Sequence, residues 1–171
     1  MTFYTHNKPG APVGRYSAGD TVVDSLSNMW KCVVPGPEAR FAAMGPSARV
    51  ISGATALTAA DSGGVFMLTA LAGAAVSLPT MQRGLEYTFI NALAPTSNGY
   101  VITPADADKI IGRIAVTADE VGDTEDTAGG DTVTFVANSS LAGDWAKLVC
   151  DGSNWYVTGI ARLAASVLIA G

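Results

Sequence analysis

The sequence predicts an all-β protein: a β-sandwich or β-barrel domain preceded by a small N-terminal hairpin and an extended N-terminal arm. Three observations predict it. From about residue 49 onward the apolar residues come in short alternating or β-branched runs, cut at turn-length intervals by Gly, Pro, Asn and Asp. Only residues 71–75, too short and broken by Gly73, and residues 160–169 offer any helical alternative. A chain of 171 residues that is 49% hydrophobic and 15% charged has enough apolar material for one compact domain and an appendage.

Taken in order, residues 1–19 hold Pro9, Gly10, Pro12 and Gly14 among Phe3, Tyr4 and Tyr16 and follow neither the strand nor the helix period, which reads as an extended arm. Aromatic side chains gain nothing from solvent. The functional reading is that Phe3, Tyr4 and Tyr16 dock on a neighbouring protein, with Lys8 and Arg15 able to pair with its carboxylates; the alternative is an unstructured tail. Residues 20–46 read as a hairpin module. Thr21, Val22 and Val23 are β-branched, residues 24–28 are turn formers, and residues 29–34 alternate until Pro35, Gly36 and Pro37 stop them. Such a hairpin is too small to stand alone.

The main domain, 49–171, begins its strand runs at 65–68, after the turn Asp61, Ser62, Gly63, Gly64. Further runs fall at 75–78, 85–90, 100–103, 109–111 with a continuation at 114–116, 131–136, 145–150 and 155–158. Between the last two, Asp151, Gly152, Ser153 and Asn154 predict a tight hairpin, because Asp-Gly supplies the positive φ it needs. Residues 160–169 divide: Ala161, Leu163, Ala164 and Ala165 form helices well, while 166–169 suits a last strand that something must cover.

Ten basic and fifteen acidic residues give a net charge of −5 with no basic stripe, so nucleic acid is not an expected partner. The charge is uneven: residues 1–85 carry +2 and residues 86–171 carry −7, with six acidic groups and no basic one in 119–131. Sparse charge leaves an exterior of small residues suited to contact with other protein. The first residues contain no apolar leader and no long apolar run follows, so no membrane partner is expected. Cys32 and Cys150 lack any paired spacing and read as reduced, buried thiols, with a disulfide as the alternative.

No catalytic residues, metal site or cofactor are expected. The lone histidine, His6, lies on the arm, which leaves Ser/His/Asp, Cys/His and His-metal constellations nothing to be built from in the main domain. Asp61, Ser62, Gly63 and Gly64 are similar to the nucleophile loop of chymotrypsin-like proteases, but Ala60 precedes them, and a turn capped by the Asp side chain explains the same residues. Phosphate-cradling glycine loops are missing. Most aromatics fall in strand runs instead of lining a sugar cleft, which tells against a carboxylate-pair glycosidase. Segment 119–131 reads as a solvated β–β loop facing outward, with calcium or a basic partner as alternatives, although it departs from the spacing of a calcium loop. Trp30, Trp145 and Trp155 read as core anchors.

Several segments together resemble the β-rich domain of tailed-bacteriophage virion proteins. They are Leu57, Thr58 and Ala59 running into Asp61, Ser62 and Gly63; Val76, Ser77, Leu78 and Pro79; residues 84–89; residues 99–102; and residues 143–159, which contain Asp151, Gly152, Asn154 and Trp155. The likeness is strongest to head decoration, or capsid cement, proteins. Gly19, Asp20 and Thr21 with Met29, Trp30, Lys31 and Cys32 are similar to hairpin modules of phage head and tail-fibre proteins, although residues 37–40 depart from the usual turn. The resemblance implies a β-sandwich or barrel subunit, often a homotrimer, that binds the outer surface of a phage capsid and clamps adjacent major capsid subunits. It implies synthesis in the host bacterial cytoplasm and no catalytic residues. A tail-fibre, baseplate or receptor-binding component is the alternative, and the absence of a repetitive or heptad shaft tells against it.

Overall fold

The structure is a computed structural model. It describes residues 3–5, 16–17, 20–23, 29–35, 40–44, 48–107, 109–117 and 124–171. The chain divides into two compact units, Met1–Ser47 and Ala48–Gly171, and nearly all of its regular structure is strand.

The first unit contains one sheet. β1 (Phe3–Thr5) runs parallel to β2 (Thr21–Val23), which pairs antiparallel with β3 (Met29–Val34), itself antiparallel to β4 (Arg40–Met44). Part of the segment read as an arm is therefore a strand of the chain's own sheet, with Phe3 opposite Thr21 and Tyr4 opposite Val22. The hairpin of β2 and β3 also gains a further strand, which the Pro and Gly residues at 35–37 conceal in the sequence. Val22 and Cys32 are buried.

The second unit is a two-sheet sandwich. Its strands are β5 (Ala48–Ile51), β6 (Thr55–Ala56), β7 (Gly64–Leu68), β8 (Ala74–Ser77), β9 (Glu86–Asn91), β10 (Tyr100–Thr103), β11 (Ile110–Val116), β12 (Thr124–Gly130), β13 (Thr132–Phe135), β14 (Trp145–Cys150), β15 (Trp155–Ala161) and β16 (Val167–Ala170). The larger sheet has the order β12-β11-β15-β14-β9-β7-β5 and the smaller β16-β13-β10-β8-β6. From β5 to β10 the chain changes sheet at every strand, so β5, β7 and β9 lie parallel in one layer and β6, β8 and β10 parallel in the other. Parallel neighbours ordinarily require a long crossover, usually a helix. Here the crossover is the strand in the opposite layer, and the chain winds as a flattened coil before further strands complete both sheets, all pairing antiparallel except β11 with β15.

Strict alternation sets the core. Gly64, Phe66 and Leu68 of β7, Tyr87, Phe89 and Asn91 of β9, and Trp155, Val157, Gly159 and Ala161 of β15 all point inward. Phe66 stacks on Phe89 at 5.4 Å, and Tyr87 lies 5.7 Å from Trp155. The buried Tyr100 hydroxyl donates to the Ile51 carbonyl at 3.2 Å and accepts the Ala70 N–H, which ties two successive turns of the coil. Residues 160–169 resolve as the end of β15, a turn and β16, whose Val167 and Ile169 are buried.

Two expectations are corrected. The acidic segment is not a loop throughout: Thr124–Gly130 is an edge strand antiparallel to β11, with Glu125 in register with Arg113. Charged residues suit such an edge because they discourage pairing with another chain. Trp145 is not a core anchor but lies half-buried on the outer face, since Ala146, Leu148 and Cys150 fix the inward phase of β14.

At the rim of the coil, Arg49 of β5 closes the core. Its guanidinium sits 5.7 Å above the Phe66 ring and pairs with Asp61. Asp61 ends a short 3-10 turn, Ala59–Asp61, and accepts both the Thr58 N–H and the Thr58 hydroxyl at 2.8 Å. Burial alone would raise the Asp61 carboxyl, but the bonds from Thr58 and the Arg49 charge outweigh it and hold the group below its usual value. A depressed carboxylate stabilises the fold above its unfolded pKa of about 3.9 and loses that contribution as pH falls through the lower folded value. Arg49→Ala should flatten the acid limb of the stability curve. Urea midpoints measured at intervals between neutral and strongly acid pH would show the two proteins converging at the acid end; a constant gap would contradict it.

Candidate functional site

Register places side chains of one kind across the outer face of the larger sheet. Val50 of β5 is opposite Met67 of β7, Met67 opposite Ile90 of β9, Ile90 opposite Trp145 of β14, Trp145 opposite Ile160 of β15, and Ile160 opposite Ala115 of β11. All six occupy outward positions, because the residues flanking them in each strand are the inward, core-facing ones. Val50 is 67% exposed and Ile160 40%, and the other four are half-buried. The result is one continuous apolar row crossing six strands.

The next row contains Ala48, Val65, Thr88, Lys147, Thr158 and Arg113, and beyond it lie Glu86, Val149, Tyr156 and Ile111. Lys147 Nζ meets Glu86 Oε2 at 2.9 Å, so those two charges cancel within the face. Val149 and Tyr156 are both exposed. A contiguous apolar patch on a sheet, rimmed by a few polar groups, is the mark of a protein contact, whereas exposed apolar residues scattered singly need no explanation.

Among the other predicted positions, Phe3 and Tyr4 are adjacent in β1 and Tyr16 is half-buried in the same unit. Lys8, Arg15 and His6 lie outside the described residues, as do residues 119–123 of the acidic segment. The protease-like turn is tied up locally: Ser62 Oγ accepts the Glu86 N–H at 3.0 Å, and the Asp61 carboxylate is engaged by Thr58 and Arg49. Cys32 and Cys150 are buried and are not joined in a disulfide. Among the described residues no three His, Cys, Asp or Glu side chains gather to hold a metal ion, and no helix is long and apolar enough to cross a membrane.

Sequence reasoning missed the row because it depends on register. Met67, Ile90 and Trp145 each sit in runs where inward and outward positions are both apolar, and only strand pairing shows that the outward ones line up. Comparison of the chain with protein-family models, curated proteins and solved structures finds no match.

Proposed function

We propose that this protein is a non-enzymatic structural subunit of a bacteriophage virion that binds the outer surface of the capsid and stabilises the expanded head by clamping adjacent major capsid subunits. The observation that carries the reading is the apolar row on the larger sheet, a surface whose chemistry serves contact with other protein subunits. The sequence resemblance supplies the virion context. The sparse charge of the chain is consistent with a protein that works packed among others. Phe3, Tyr4, Lys8, Arg15 and Tyr16 of the first unit are the proposed capsid contacts, and self-association multiplies their individually weak binding through effective concentration.

The test is the molar ratio of this chain to the major capsid protein in purified particles, by quantitative mass spectrometry. A simple fraction of the capsid copy number is expected. A handful of copies per particle would move the assignment to a tail or receptor-binding component, and absence from particles would overturn it.

A further inference from the structure

We infer that the apolar face of the larger sheet is covered by the same face of a second copy of this chain, about a two-fold axis parallel to the strands between β9 and β14. This rests on reading that face as a protein contact and names its occupant. The argument is complementarity of the face with itself. The six strands that the apolar row crosses, of the sheet's seven, fall symmetrically about the β9–β14 boundary, with β9, β7 and β5 on one side, β14, β15 and β11 on the other, and β12 outside the overlap. A two-fold axis lying there opposes each strand to its mirror position at unchanged height.

In the apolar row, Ile90 then faces Trp145 of the second copy, Met67 faces Ile160 and Val50 faces Ala115, so that the largest side chain and the smallest each meet a residue of intermediate size. In the next row Lys147 faces Thr88, Arg113 faces Ala48 and Thr158 faces Val65; one row further, Glu86 faces Val149. No charge meets a like charge, although the chain carries −5 and would repel a copy across most surfaces. Every residue contributes twice, as an isologous contact requires. A two-fold axis across the strands would instead set Trp145 on Trp145 and Met67 on Met67.

Light scattering coupled to size exclusion should give twice the 17.4 kDa chain mass for the full-length protein. Ile160→Lys should reduce it to the single-chain mass with unchanged far-ultraviolet circular dichroism and a melting temperature that no longer rises with protein concentration. Geometry is tested separately by a short bis-maleimide. Residues 67 and 160 are three strand spacings apart within a chain, roughly 14 Å, but face each other between copies. Met67→Cys/Ile160→Cys should therefore cross-link into a dimer on a denaturing gel, while either single variant should not, the native thiols being buried. A monomeric or trimeric mass overturns the inference, and so does cross-linking by Met67→Cys alone. A monomer whose Ile160→Lys variant loses capsid binding would assign the face to the capsid instead. A dimer absent from particles would leave this inference standing while the virion reading fails, and a monomer found at a simple fraction of the capsid copy number would do the reverse.

Discussion

Asp144→Ala is expected to destabilise the second unit by roughly 3–5 kcal/mol, a large share of the roughly 5–15 kcal/mol that holds a typical domain folded. Asp144 is buried at the entry to β14, and its carboxylate joins three separate parts of the chain. Oδ2 accepts the Leu141 N–H at 2.8 Å and lies 3.1 Å from the buried Ser166 hydroxyl, while Oδ1 accepts the Arg162 N–H at 2.8 Å. Arg162 follows β15 and Ser166 precedes β16, so one side chain ties the larger sheet to the strand that completes the smaller. Alanine would leave two part-buried backbone donors without their acceptor, each costing about 1–3 kcal/mol. Asp144→Asn keeps one acceptor oxygen but turns an amide donor toward a backbone donor, so its loss should fall between wild type and Ala. Urea denaturation followed by tryptophan fluorescence would measure both; a loss of under about 1 kcal/mol for Ala would mean that the three bonds do not hold the fold.

This pin was not legible in the sequence, and the reason is physical. Asp144, Arg162 and Ser166 meet only because β14, β15 and β16 fold together, and a carboxylate before a strand looks the same as a solvated turn residue. What was legible is whatever depends on local alternation. The limits of β14 and β10 follow from their sequences directly, and the β14–β15 hairpin forms at Asp151, whose Oδ1 accepts the Ser153 and Asn154 N–H groups at 2.7 and 2.8 Å while Gly152 takes φ 98°. Those same bonds, from Asn154 and then Ser153, lower the Asp151 pKa. Strands β5 and β6 escaped notice because they are short edge strands paired in parallel, and β12 because its run is charged and glycine-rich.

The winding of β5 to β10 escaped for the same reason. Short strands with Gly-rich turns suit antiparallel hairpins as well as they suit a coil, and the choice is made by contacts between layers. Gly73 marks where the coil closes most tightly: at φ 69°, any Cβ there would lie 2.2 Å from the Asn98 carbonyl oxygen. The backbone of one turn thus rests directly on the approach to β10. Within the larger sheet, inward and outward residues share each strand, and this links the core to the candidate interface.

Trp155 is the place where that link can be tested. It has no exposed surface, packs against Tyr87, and lies in register between Ile110 of β11 and Cys150 of β14. Trp155→Ala removes the largest buried side chain of the sandwich and should cost about 3–5 kcal/mol through lost burial and the cavity left behind. Trp155→Phe should cost less than its change in volume suggests. The indole Nε1 is buried without a hydrogen-bond acceptor among the described residues, so Phe gives up a desolvated donor along with the lost ring atoms, and the two effects oppose one another. A net loss of about 1–2 kcal/mol is expected for Phe by urea denaturation, and a loss equal to that of Ala would contradict this account. β15 also carries Ile160 on its outward face, so Trp155→Ala should lower stability and self-association together, whereas Ile160→Lys should abolish association and cost only the stability that association adds. If Trp155→Ala melts early yet keeps its dimeric mass while folded, the core side chain does not set the shape of the β15 face.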